Sequence, residues 1–366
     1  MNIRQVYFSA LLIFLLTPAF AQEDATTHPS GYMVNFNLMK GTILDHSLNM
    51  SHLTDQSPTA FELDFSKQTY GNKDWQQLYN FPQIGFALHY VLLDPQRPLG
   101  NFFSAATYIS PVLYRSEKNL LSYRIGIGIG YVERRFHPTL NPDNNLMSSR
   151  LNFCLYGNIN FRRFLLGNTH INTGIGILHY SNGAFKVPNL GINIPTIHLG
   201  VGIGDQPQKS FKKGILPDYA RKYYVNIIGA AGLKEMYPIE GPKYTNYSSS
   251  VYVSRTLNRK SMINAGIDVF YNNSYERHME NRYLTDKKYK ATSALTIGHE
   301  LVISKLVLLT QVGYYIYTPL PDFPYTDFYQ RVSLRYYFMD NLSVGAALKT
   351  HYANADFVEY SIGYRF

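Results

Sequence analysis

His179 and Ser181 stand one residue apart in the stretch GILHYSNGAFKVPNLGIN, residues 176–193. On an extended chain, residues two apart project to the same face. An imidazole and a hydroxyl placed this way can approach hydrogen-bond distance, the minimum geometry for a serine nucleophile activated by a histidine base. The same residues also have an ordinary reading. Asn182-Gly183 is good turn sequence, and a strand end at a membrane surface tolerates Ser, His and Asn without any chemistry. H-x-S is short and common, so its meaning depends on the element that carries it.

That element reads as a strand. Ile171, Thr173, Ile175, Ile177, His179 and Ser181 share one parity, and Asn172, Gly174, Gly176, Leu178 and Tyr180 the other. The same alternation recurs elsewhere. In SYRIGIGIGYVERRF, Tyr123, Ile125, Ile127, Ile129 and Tyr131 oppose Arg124, Gly126, Gly128 and Gly130. At the C-terminus, Val358, Tyr360, Ile362, Tyr364 and Phe366 oppose Glu359, Ser361, Gly363 and Arg365. A wide apolar face against a small or polar one is the pattern of a barrel with lipid outside and a polar interior. His179 and Ser181 then continue a lipid-facing stripe near the outer end of their strand. Polar groups there carry a solvation cost and need a reason. The substrate implied by the position is a lipid of the outer leaflet, and the chemistry is ester cleavage.

Composition agrees with this class. Residues 1–21 read as a signal peptide: Arg4, an apolar run over 10–16, and Ala19-Phe20-Ala21 as a cleavage site. The rest has no apolar run of about 18 residues that would span a bilayer as a helix. Cys154 is the single cysteine, which rules out an intramolecular disulfide framework, while Tyr and Phe number 32 and 22. The expected fold is all-β: a transmembrane antiparallel β-barrel of about 12–16 strands, formed as a single domain over 22–366 and located in the outer membrane of a Gram-negative bacterium. A secreted soluble β-sandwich is the rival class. The net charge of +9 suits contact with the phosphorylated headgroups of lipopolysaccharide. No basic-aromatic cluster points to nucleic acid.

About sixteen strand segments can be parsed. They lie near 31–44, 59–70, 82–94, 101–116, 119–136, 146–163, 165–183, 191–205, 222–237, 243–258, 260–274, 288–303, 305–318, 326–340, 341–352 and 355–366. Short connections such as LNRK, ISK and MDN alternate with long ones such as HPTLNPDNN and NNSYERHMENRYLTDKK. Barrels of this type have short periplasmic turns and longer outer loops. Two long connections, GNKDWQQLYNFPQ and DQPQKSFKKGILPDYARK, break the rule.

The segment HYSNGAFKVPNLGIN resembles the active-site segment of the lipid A 3-O-deacylase and acyloxyacyl hydrolase-like outer-membrane family, whose pattern is H-x-S-N-[AG] followed by P-N-x-G-[IL]. Here that reads His179, Ser181, Asn182, Gly183, then Pro188, Asn189, Gly191 and Ile192. The resemblance extends over roughly residues 31–205. It implies a β-barrel serine esterase that removes an ester-linked acyl chain from the lipid A part of lipopolysaccharide. Carried over, Ser181 is the nucleophile, His179 the general base, and Asn189 a donor to the oxyanion. No cofactor is required. In one place the sequence departs from the family: Asn193 stands where the family has its acidic member. An asparagine can still orient a histidine but cannot stabilise an imidazolium as a carboxylate does. A weaker enzyme, an acid recruited from elsewhere (Glu133 being one option) and an inactive relative all remain open.

Other candidates have ordinary readings. His137, Asp143, Asn144 and Asn145 fall in HPTLNPDNN, where turn chemistry accounts for them. His299 and Glu300 are adjacent in a strand, hence on opposite faces, without metal-ligand spacing. Lys209, Lys212, Lys213, Arg221 and Lys222 read as a solvated periplasmic connection. The competing function is a non-catalytic barrel, either a channel or a lipid-binding structural protein. A channel requires a wide, water-filled lumen.

Overall fold

The computed structural model describes residues 31–47, 49–94, 96–204, 211–216, 218–324, 326–352 and 354–366. The expected signal peptide at 1–21 lies outside these residues. The chain divides into two compact units, one formed by residues up to 182 with 189–215, the other by 216–366 with 183–188.

The first unit contains β1 (Tyr32–Gly41), β2 (Thr59–Gln68), β3 (Gln83–Leu92), β4 (Phe102–Ser110), the short β5 (Val112–Arg115), β6 (Asn119–Val132), β7 (Leu151–Phe164), β8 (Thr169–Ser181) and β9 (Ile192–Gly204). All pairings are antiparallel. The ring runs β4-β3-β2-β1-β9-β8-β7-β6 and closes through β4 and β6, with β5 adding to β6. The second unit contains β10 (Tyr223–Glu235), β11 (Lys243–Asn258), β12 (Ser261–Asn272), β13 (Ala291–Ile303), β14 (Leu306–Tyr317), β15 (Phe328–Tyr337), β16 (Leu342–His351) and β17 (Asn354–Arg365), closed in sequence order.

The fold is therefore all-β and antiparallel, and each of the sixteen parsed segments corresponds to a barrel strand. Their closure differs from the single ring expected over 22–366. The strands form two rings of eight, because β9 returns to pair with β1, Met33 facing Gly204 and Gly41 facing Thr196, and β17 pairs with β10. The connection DQPQKSFKKGILPDYARK, which breaks the loop-length rule, is the link between the rings. Alternation fixes which side chains face outward, but it carries no information about which strand each edge will meet.

Sidedness follows the sequence. The outer walls expose Ile175, Ile197, Leu199 and Val201 in the first unit and Val251, Ile267, Leu295 and Ile297 in the second. The interiors carry ion-paired polar groups beside buried apolar clusters. In the first barrel Arg124 bonds Glu62 at 3.1 Å and Asp64 at 2.9 Å, and His89 meets Glu62 at 3.0 Å. In the second, Arg331 bridges Glu359 at 2.7 Å and Asp268, while Lys349 meets Asp356 at 2.7 Å. Eight strands enclose just enough room for such side chains. The cavity lined by Arg331, Arg335, Glu359 and Tyr252 measures about 20 Å³, room for about one water. The apolar outer walls are what lipid imposes, and side chains fill the space inside both rings.

Long connections gather at one rim of each unit with two exceptions: in the first unit the long 69–82 connection, the GNKDWQQLYNFPQ stretch, lies at the opposite rim beside the short 116–118 and 165–168, and in the second the short 352–353 lies with the long 236–242, 273–290 and 318–327. In the first, residues 42–58, 93–101, 133–150 and 182–191 form the long-loop rim. The end of β8 and the start of β9 lie at this rim.

Candidate functional site

Cross-strand register builds the site. In the β8–β9 ladder His179 sits directly opposite Asn193, and directly opposed side chains on one face of a ladder are close enough to interact. Both continue the exposed stripes of their strands, Ile175 and Ile177 on β8, Ile197 and Leu199 on β9, and both are half-buried. The ring donates from Nδ1 to Asn193 Oδ1 at 2.7 Å. An amide oxygen only accepts, so Nδ1 holds the proton and Nε2 keeps its lone pair. A base needs that tautomer.

Ser181, the last residue of β8, lies on the same face. Among the described residues its hydroxyl has no hydrogen-bond partner, so it can rotate toward the ring or a substrate. Gly191 lies beside both residues. A Cβ at Gly191 would stand 3.3 Å from both His179 Cε1 and Ser181 Cβ, and its φ of +73° is left-handed. A side chain there would be strained and would fill the gap beside both groups.

Asn189 holds the turn. Its Oδ1 accepts from the Asn182 backbone N–H at 3.1 Å, the amide that follows the serine. That bond commits the carbonyl end of the side chain and leaves Nδ2 as the end able to donate. Asn182 in turn donates from Nδ2 to Ser148 Oγ at 3.0 Å, and Gly191 N donates to Leu146 O at 3.3 Å. The 133–150 loop therefore braces the site. Within that loop Asn144 is fully buried, its Oδ1 accepting from Met147 N at 3.1 Å and its Nδ2 donating to Arg134 O at 2.7 Å. That is turn-holding work, in keeping with the ordinary reading of HPTLNPDNN. Glu133 is engaged elsewhere, accepting from Asn101 N at 3.0 Å, so it is not the partner of His179.

One residue of the arrangement has no signal in the sequence. His46, in the loop after β1, places Nδ1 3.2 Å from Leu44 O and 3.5 Å from Asn193 Nδ2, and Nε2 3.2 Å from Leu190 O. Nδ1 can serve Leu44 O as a donor or Asn193 Nδ2 as an acceptor, not both, and the Leu44 contact is the shorter. No spacing rule connects positions 46 and 193; only the pairing of β1 with β9 brings the loop there. The site thus comprises a hydroxyl with no partner among the described residues, a histidine in the basic tautomer, an asparagine amide orienting it, and a braced turn. His179 and Ser181 share one face of the outer wall, and among the described residues no hydrogen bond joins the two side chains.

Fold and site together define a class: closed antiparallel β-barrels with a Ser–His arrangement on the outside wall at one rim. Residues 59–202 match the model of the family described as lipid A 3-O-deacylase (PagL), and residues 222–366 match that described as acyloxyacyl hydrolase, C-terminal domain. The chain belongs to this lipid A 3-O-deacylase and acyloxyacyl hydrolase family. Solved structures with some similarity include the outer membrane enzyme PagL, 15% identical, which covers 45% of this chain and 97% of its own, with a TM-score of 0.32. Neisserial surface protein A is 11% identical, covering 49% and 99%, with a TM-score of 0.32. A triple-mutant porin of Rhodopseudomonas blastica is 8% identical, covering 92% and 99%, with a TM-score of 0.19. No curated protein matches the chain.

Proposed function

We propose that this protein is an outer-membrane esterase that removes an ester-linked acyl chain from lipid A in the outer leaflet of a Gram-negative bacterium. The observation that carries the reading is the His179 Nδ1 to Asn193 Oδ1 bond of 2.7 Å, which leaves Nε2 basic on the apolar outer wall, on the same face as Ser181. The family matches support the substrate class, and the apolar outer belt supports the membrane.

In this reading Ser181 Oγ attacks the ester carbonyl as its proton passes to His179 Nε2. The tetrahedral intermediate carries its charge on the carbonyl oxygen, where the Asn189 side-chain amide donates. Collapse breaks the bond to the sugar oxygen, which takes the proton back from Nε2. Water then repeats the sequence on the acyl-serine and frees the fatty acid. Asn193 keeps the ring in its tautomer, the part an asparagine plays in Cys-His-Asn enzymes. The filled interiors of both barrels weigh against a channel.

The test is fatty acid release from purified lipid A in detergent micelles, comparing wild type with Ser181→Ala and His179→Ala. Both variants should retain the heat-modifiable migration of a folded barrel and lose activity by ~10³-fold or more. Equal release by all three would remove the proposal, and so would ion conductance without hydrolysis.

A further inference from the structure

The second barrel has a polar row on its outer wall, at the rim opposite its long loops. Tyr223, Arg255, Ile263, His299, Thr310 and Val332 are direct neighbours across six consecutive strand positions of the ladder, from β10 to β15. Arg255, Ile263 and His299 share the outward parity of Val253, Ala265 and Ile297. Arg255 stands three residues, roughly 10 Å of strand, from the 259–260 turn. Its guanidinium lies 5.6 Å from the Tyr223 ring, and among the described residues no carboxylate pairs with it. The Ser261 hydroxyl contacts His299 Nε2. Above the row is an open groove of about 710 Å³, walled by Val253, Ile297 and Val312 and floored by the small side chain of Ala265.

A guanidinium on a lipid-facing wall without an anion is costly. Its surroundings favour an anion from the membrane itself. The three short turns of this rim carry Arg259, Lys260 and Lys305 against Asp340, and Lys222 precedes β10. By the loop-length rule this is the periplasmic rim. The Ser261–His299 pair lacks what the first barrel's pair has. No amide orients the imidazole, and the row lies within the strands, where backbone N–H groups are committed to the ladder. It is equipped to bind rather than to cleave.

We propose that this row and groove form a binding site for an anionic glycerophospholipid of the periplasmic leaflet. Arg255 and His299 hold the phosphate, Tyr223 packs beside the headgroup, and one acyl chain lies in the groove over Ala265. The proposal shares the membrane placement of the proposed function but not its chemistry.

The experiment uses the refolded mature chain in detergent and native mass spectrometry with phosphatidylglycerol, phosphatidylethanolamine of the same acyl chains, or inorganic phosphate. Wild type should keep one phosphatidylglycerol, at least five-fold more occupied than phosphatidylethanolamine. Arg255→Gln should lower that occupancy at least five-fold, and Ala265→Phe, which fills the groove, should do the same. Arg163→Gln, on the first barrel's outer wall, should leave it unchanged. Phosphatidylglycerol retained equally by Arg255→Gln or Ala265→Phe overturns the proposal. Equal retention of the two lipids, or phosphate displacing the lipid, overturns it as well. Deacylase activity should survive Arg255→Gln. Flotation with liposomes separates the outcomes: a wild type that floats but keeps no phosphatidylglycerol defeats the lipid site alone, whereas one that does not float defeats the membrane reading with it.

Discussion

Asn193→Asp restores a carboxylate where the rest of the family motif expects an acid, without changing side-chain size. In the protein as it stands, Asn193 Oδ1 accepts from His179 Nδ1 at 2.7 Å. The amide orients the ring but offers no charge to the imidazolium that forms when Ser181 loses its proton. With aspartate there, the two charge centres lie about 4 Å apart, worth about 4 kcal/mol at an effective dielectric near 20. The site is half-buried at a barrel rim, so solvent screening removes about half of that. About 2 kcal/mol of transition-state stabilisation remains, close to a thirty-fold increase in kcat. Asn193 touches the ring and not the acyl chain, so KM should stay within about two-fold. Asn193→Ala removes the acceptor altogether and should lower kcat at least ten-fold, which brackets the effect. The assay is initial-rate fatty acid release from lipid A, with folding checked by heat-modifiable migration. A folded Asn193→Asp whose kcat is equal to or below wild type would refute the assignment of this residue as the orienter of the base.

His46→Ala tests whether the His46 ring accepts from the Asn193 amide: if it does, kcat should fall about three- to ten-fold with KM unchanged, and a fall of similar size in the Asn193→Asp background, measured by the same assay, would mean His46 acts elsewhere. Gly191→Ala puts a methyl 3.3 Å from both His179 Cε1 and Ser181 Cβ at a φ of +73°; activity should fall while unfolding in urea shifts by only about 1–2 kcal/mol. Arg331→Met leaves Glu359 and Asp268 buried without their cation, so the isolated second barrel strands should lose about 3–5 kcal/mol of stability in the same titration. Arg331, Glu359 and Asp268 replaced together by apolar residues of similar volume should restore most of it.

Much of this arrangement was legible because a barrel in lipid writes its sidedness locally. The parity that links His179 to Ile175 and Ile177 is a period of two, and one sequence displays it. The strand count was legible for the same reason, sixteen segments with their turns. Closure was not. Whether β9 continues to β10 or returns to β1 depends on edge pairing across more than 160 residues, as Met33 facing Gly204 illustrates, and no local pattern encodes it. The same pairing explains why His46 escaped notice while Asn193 did not. Asn193 is 14 residues from His179 across one short connection, within reach of a motif. His46 is 147 residues from Asn193 and arrives only because the ring closes at β1.

That difference bears on how an asparagine can serve in this position. A carboxylate orients an imidazole whichever oxygen faces it, since both accept. An amide has an oxygen end and a nitrogen end, and only the oxygen end selects the tautomer with a basic Nε2. A chain that uses asparagine here needs a second group to choose the end, and that group must accept from Nδ2. His46 Nδ1 stands 3.5 Å from that amide nitrogen and can accept from it only in the tautomer that forgoes donating to Leu44 O at 3.2 Å. In that tautomer Asn193 and His46 act as one device, and closure of the first ring at β1 is what brings the two together.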